Sequence, residues 1–186
     1  MKTTVYLSSK TTSLNREQND LYCTNPVVVR MLLEHEEFNT NIWETCHGLG
    51  HITRTLEEAG YNVRKSDIIN YNNDPEVEII DILNYQGKWD GDIVTNPPYK
   101  YSGEIAEKCL EICTGKVAMY NSLSFLSSQK RKPLFEKYPP KTVYIMSKRI
   151  ACAKNGDFEH TGNGAIDYCW VVWDKTYKGE TLLKWL

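Results

Sequence analysis

Apolar positions in this chain recur at two different periods, and segments of each kind alternate. "NPVVVRMLLEHEEF" (25–38) carries apolar residues at helical spacing, with Asn25 placed to cap and Pro26 at the first helical position. "NIWETC" (41–46) is short, β-branched and aromatic, and reads as a strand; "HITRTLEEAG" (51–60) returns to the helical period and closes on Gly60. Further strands are expected at "NVRKSD" (62–67), "EVEIIDI" (76–82), "GDIVTN" (91–96), "KVAMY" (116–120), "KTVYIMS" (141–147) and "DYCWVVWD" (167–174). "SGEIAEKCLEIC" (102–113) reads as a helix and "QKRKPLFEKY" (129–138) as partly helical. Such alternation predicts an α/β fold with a mainly parallel sheet and helices on both faces. The closing "TYKGETLLKWL" fits either a terminal strand or an oligomer contact.

Composition sets limits without changing that picture. At 186 residues the chain suffices for one substantial core, and a single domain over 1–186 is expected, with no separate target-recognition domain. No apolar run approaches a membrane span, and "MKTTVYLSSK" lacks the apolar stretch of a signal peptide. Cysteines at 23, 46, 109, 113, 152 and 169 contain no C-x-x-C, so they suggest neither a zinc knuckle nor a disulfide framework. A reducing cytoplasm is the economical location. Charge is uneven: residues 1–115 hold ten Lys/Arg against eighteen Asp/Glu, and residues 116–154 hold nine Lys/Arg against Glu136 alone. A basic block behind an acidic front half suits a phosphate-bearing partner, although a solvated lysine-rich face explains such a run equally well.

Candidate chemistry sits at the carboxyl ends of the expected strands, where ligands bind in open α/β sheets. After the first strand of this series, "ETCHGLGHIT" supplies Gly48 and Gly50 for a tight turn and a close backbone approach. Taken alone the pair is a weak signal. Asp67 ends the second strand, where a carboxylate can accept both hydroxyls of a ribose, and Asp81 ends the third. The fourth ends in "TNPPY". Pro97 and Pro98 carry no N–H and stop the ladder, so the turn is stiff and poor in donors, presenting the Asn96 amide, backbone carbonyls and the Tyr99 ring. His47 and His51 stand four apart beside the glycines, but no third ligand of suitable spacing follows, and no metal is expected.

In this order the motifs resemble those of class I S-adenosylmethionine-dependent methyltransferases with an Asn-Pro-Pro-Tyr motif, the phage-type N6-adenine DNA methyltransferases in particular. The resemblance runs from Tyr22 to about Trp173 and implies a Rossmann-like, doubly wound, mostly parallel seven-stranded sheet. It also implies S-adenosylmethionine as cofactor. The element around Tyr22 and Thr24 would pack on the cofactor, Glu44, Cys46, Gly48 and Gly50 would form the methionine-binding turn, Asp67 would hold the ribose, and Asp81 the adenine. Asn96, Pro97, Pro98 and Tyr99 would form the catalytic motif. "KRIACAKNGDF" resembles a later motif that brings an aromatic ring to the flipped base; Cys152 stands where that ring is expected and cannot stack, which leaves Phe158.

An exocyclic amine is a poor nucleophile because its lone pair is delocalised into the ring. Acceptors at Asn96 Oδ1 and the Pro97 carbonyl would orient its two hydrogens and favour localisation of that pair, while Tyr99 stacks on the base. A base inside a duplex cannot reach such a pocket, so flipping or a single strand is required. DNA is the expected partner, with Lys130, Arg131, Lys132, Lys148 and Arg149 as its phosphate track; a phage-encoded enzyme would work in the bacterial host's cytoplasm. Cytosine N4, RNA adenine or a protein glutamine amide would suit the same motif. A catalytically silent nucleic-acid-binding module is the alternative from a different class.

Overall fold

The protein, described here from a computed structural model, is defined over residues 21–159 and 164–186. The amino-terminal stretch read for a signal peptide, and with it the start of the expected 1–186 domain, lies outside the described residues. In chain order the elements are β1 (Tyr22–Cys23), α1 (Pro26–Leu33), β2 (Asn41–Glu44), α2 (His51–Glu58), β3 (Asn62–Asp67), β4 (Val77–Ile79), β5 (Asp92–Thr95), α3 (Ser102–Ile112), β6 (Lys116–Ser122), α4 (Lys132–Lys137), β7 (Thr142–Ile145), β8 (Ala153–Lys154), β9 (Tyr168–Asp174) and β10 (Leu182–Trp185).

One sheet takes the order β10-β7-β9-β6-β5-β2-β3-β4, and every pairing in it is parallel except the two made by β9. Side chains alternate across it as the strand period requires. On one face Trp43, Ile93, Val117, Met119 and Val171 meet Ile105, Ala106, Cys109 and Leu110 of α3 and Leu134 of α4. On the other, Ile42, Val94, Ala118, Tyr120 and Trp170 meet Val28, Val29 and Leu32 of α1 and Ile52 and Leu56 of α2. Helices therefore cover both faces. Asn25 caps α1 as expected, its side chain accepting the Val27 amide hydrogen, with Pro26 at the first helical position. Cys109 and Cys113 are buried packing residues.

Three expectations need correction. Among the described residues the sheet has eight strands rather than seven, because Leu182–Trp185 adds in parallel to the free edge of β7. Its four residues are all exposed, and it is the terminal strand that the closing "TYKGETLLKWL" allowed as one of two readings. The third strand shrinks to Val77–Ile79, since Asp81 turns its side chain onto the Leu83 amide and caps a 3-10 turn, Ile82–Asn84. The first helix ends at Leu33, and Glu36 beyond it turns inward to Lys116, Lys141 and the Tyr144 hydroxyl. Among the described residues no helix is long and apolar enough to cross a membrane.

Candidate active site

The strand order reverses between β2 and β5: the chain runs outward through β3 and β4, then returns to place β5 on the other side of β2. Helices after β2 and β5 therefore leave toward opposite faces, and a crevice opens between the two turns. Thr45–Gly50 forms one wall and Asn96–Tyr99 the other. The first turn needs its glycines. Gly48 and Gly50 have φ of 55° and 75°, and a Cβ at Gly50 would lie 2.8 Å from the His47 ring. Gly50 sits at the start of α2 and tightens the turn without lining the crevice.

A cavity of about 370 Å³ fills the crevice and brings together Tyr22, Cys46, Gly48, Asp67, Asp81 and Asn96. Asp67 Oδ2 accepts the Gly48 amide hydrogen at 2.8 Å and Oδ1 accepts that of Ile69 at 3.3 Å, so the carboxylate braces the turn it faces. Burial raises its pKa above the ordinary aspartate value. Asp81 lies at the far side, exposed, while its two oxygens also serve Leu83 and Asn84. Asp81 thus caps the 3-10 turn while also lining the cavity. Ile68 and Leu83 give the cavity apolar walls between the two carboxylates. Burial holds the Cys46 thiol well above its usual range and therefore neutral.

Glu44 and Thr24 line a smaller adjoining recess shared with Asn96. Glu44 is fully buried, accepts the Thr53 backbone and hydroxyl hydrogens, and has His47 Nδ1 at 3.4 Å; it anchors the start of α2. Desolvation raises its pKa. His47 is thereby used up on Glu44 and Thr53, and His51 packs edge-on against Phe158. Among the described residues no group of three or more His, Cys, Asp or Glu could hold a metal ion.

Asn96 stands where this crevice meets a narrow cleft lined by Tyr22, Asn96, Pro97, Pro98 and Tyr99. Its amide nitrogen donates to Thr24 Oγ1 at 2.9 Å and to the Tyr22 carbonyl at 3.3 Å, with Cys152 Sγ at 4.0 Å. Its oxygen, Oδ1, is buried and has no protein partner. An orphaned buried acceptor is costly unless something else supplies a hydrogen. The Tyr99 ring lies nearly parallel to that of Tyr22, with centroids 6.5 Å apart, and its hydroxyl meets that of Tyr168 at 2.7 Å. Burial keeps the Tyr99 phenol neutral far beyond its usual range.

The remaining expected residues are more scattered. Phe158 sits on His51 behind the glycine turn, away from the cleft, so the second aromatic of this site is not Phe158. Cys152 does occupy the place beside Asn96. Lys130 and Arg131 line a groove with Lys100, which directly follows the motif, but Lys130 pairs with Glu104 and Arg131 is engaged by the Phe125 and Ser124 carbonyls. Lys132 pairs with Glu136, and Arg149 with Asp167. Lys148 and Arg149 follow the carboxyl end of β7, on the same edge of the sheet as Asn96, and are exposed. Sequence reasoning missed Tyr168 as the support of Tyr99, and Tyr101, Ile68 and Leu83 as cavity walls. Only the sheet order, which inserts β9 beside β6, brings Tyr168 there.

No family model matches the chain, and no curated protein matches it in sequence. Solved structures do resemble it. The 23S rRNA methyltransferase ErmE matches with a TM-score of 0.57 at 15% identity, covering 85% of this chain and 72% of that one. A SAM-dependent O-methyltransferase from Thermotoga maritima matches with a TM-score of 0.55 at 12% identity, over 83% and 66% of the two chains. Atu636 of Agrobacterium tumefaciens, described as a predicted O-methyltransferase, matches with a TM-score of 0.59 at 8% identity, over 87% and 86%. At these identities what is shared is the architecture: the chain has the Rossmann-like fold of the class I S-adenosylmethionine-dependent methyltransferases.

Proposed function

We propose that this protein is an S-adenosylmethionine-dependent N-methyltransferase acting on an exocyclic amine, adenine N6 in DNA foremost. The observation that carries the reading is the Asn96 amide: nitrogen tied back to Thr24 and Tyr22, oxygen buried and without a protein partner. That oxygen and the Pro97 carbonyl would form a pair of acceptors, with no competing N–H on either proline. Two acceptors suit a primary amine, which has two hydrogens to give; they suit a hydroxyl poorly.

The lining of the cavity supports a place for the cofactor. Asp67 would hold the ribose hydroxyls, the apolar walls at Ile68 and Leu83 the adenine, Asp81 its amino group, and the Gly48 turn the methionine portion. When bound, S-adenosylmethionine supplies a sulfonium methyl electrophile. The chain's own residues do the rest. Asn96 and Pro97 draw hydrogen bonds from the amine, rotate its lone pair out of conjugation and stabilise the positive charge that grows on nitrogen. Tyr99, held by Tyr168, offers a ring for the base to stack on. The nitrogen loses its proton to solvent after methylation, and no buried general base is required. Lys100, Lys130 and Arg131 beside the motif, with Lys148 and Arg149 on the same edge, would guide the phosphates.

RNA adenine is the second reading, favoured by the likeness to a 23S rRNA methyltransferase. The test is transfer of labelled methyl groups from S-adenosylmethionine to unmethylated DNA, to RNA and to bacterial lysate protein, followed by nucleoside and amino-acid analysis. N6-methyladenine from DNA is the expected product. Label found only in glutamine, or in no acceptor, would overturn the reading.

A further inference from the structure

A primary amide has two chemically opposite ends of nearly equal shape, and a half-turn of its terminal torsion exchanges them. Asn96 could therefore present an NH2 group to the target amine, which would repel it, as readily as an oxygen. Its surroundings remove that freedom. The Tyr22 carbonyl, 3.3 Å from Nδ2, can only accept, and the Thr24 hydroxyl at 2.9 Å is in accepting position. Turned the other way, Oδ1 would face the Tyr22 carbonyl and a buried NH2 would have no acceptor. Thr24 is itself 3% exposed and cannot exchange its place for solvent. The segment is fixed from both sides. Tyr22 and Cys23 pair with Lys154 and Ala153, and Asn25, next in line, caps α1.

We propose that Thr24 is a positioning residue for Asn96: with the Tyr22 carbonyl it sets the amide so that only its oxygen faces the target. The inference rests on the functional reading above and gives Thr24 a task other than cofactor contact. It also explains why this site holds asparagine and not aspartate. A carboxylate would put one oxygen against the Tyr22 carbonyl, with no hydrogen between them.

The experiment compares Thr24→Val, which keeps shape and removes the acceptor, with Thr24→Ser, which keeps the acceptor, and with Asn96→Asp. On whichever nucleic acid the wild type methylates, Thr24→Val should lower kcat by up to about 100-fold. KM and S-adenosylmethionine affinity by calorimetry should stay within about twofold, a change of under half a kcal/mol. Thr24→Ser should recover most of the rate. Asn96→Asp should be slow and gain rate as pH falls, because only the protonated acid can donate to the Tyr22 carbonyl. An unchanged kcat in Thr24→Val, or a loss shared with cofactor affinity, would overturn the proposal. The side-chain amide resonances of Asn96 provide a readout that needs no turnover: they should shift in Thr24→Val and not in Thr24→Ser. Resonances indifferent to Thr24→Val would sink the orientation itself. The expected shift in a wild type that methylates nothing would sink the assigned function and leave the orientation standing.

Discussion

Asp67 serves the cavity and the turn with one carboxylate, so its removal should be felt in both. Asp67→Ala leaves the Gly48 amide hydrogen without its partner and, on the proposed reading, takes away a charge-assisted acceptor for the ribose. We expect S-adenosylmethionine binding to weaken by about 1.5–3 kcal/mol, read by calorimetry; unchanged affinity would take Asp67 out of the site. Glu44 makes a prediction about pH. Burial raises its folded pKa above the ordinary 4.5, so between that value and the raised one the folded chain holds a proton that the unfolded chain has released. Stability linked to Glu44 is therefore present at low pH and lost as pH rises through the window. Glu44→Gln lacks this dependence. The stability of the wild type relative to Glu44→Gln should decline as pH rises above the ordinary glutamate value of 4.5, as measured by urea melts; a constant difference would mean that Glu44 titrates normally.

Elements with one buried face could be read from the chain, and those without one could not. The α1 start is a clear case: Asn25 and Pro26 announce it, and Asn25→Ala should cost about 1 kcal/mol of stability by chemical denaturation, against no more than a few tenths for Asn25→Ser. The strands Ile93, Val94 and Val117–Tyr120 belong to the buried middle of the sheet, where apolar runs are continuous and their strand nature is plain. Their order was not plain, and the partners of the site depend on order. Asn96, Pro97 and Tyr99 declared themselves through the oddity of two prolines closing a strand. That Cys152 and Thr24 would flank Asn96 is a product of the two-stranded pairing of residues 22–23 with 153–154, which is too short to leave a hydrophobic pattern. The resemblance places an aromatic near Cys152 and leaves Phe158 for the cleft; the chain instead packs that ring on His51. The eighth strand, exposed on both faces, has no buried–exposed period, so the chain left it open between a terminal strand and an oligomer contact.

Across the whole molecule the basic block of residues 116–154 is less positive than its sequence suggests, since Lys116, Lys130, Lys132, Lys137, Lys141 and Arg149 each have a carboxylate partner. On the proposed reading, phosphates would have to compete with those carboxylates. If Lys130 and Lys132 still meet the substrate, the double change Lys130→Ala/Lys132→Ala should weaken nucleic-acid binding at every sequence and reduce the slope of log affinity against log salt by up to about 2. Cofactor affinity should not change, and an unaltered salt slope would move the track toward Lys148 and Arg149. The position of β9 has a consequence in time rather than in space. Residues 168–174 arrive late in synthesis yet lie between β6 and β7, with Trp170, Val171 and Val172 completely buried. A ribosome releases residues at about 5–20 per second, so for several seconds the nascent chain carries its whole Asn-Pro-Pro-Tyr turn beside an open, sticky slot in the sheet. Tyr168, the support of Tyr99, enters with the strand that closes that slot. The proposed methyl transfer should thus begin only once the sheet is sealed, and a chain stalled before residue 168 should be both inactive and a substrate for chaperones.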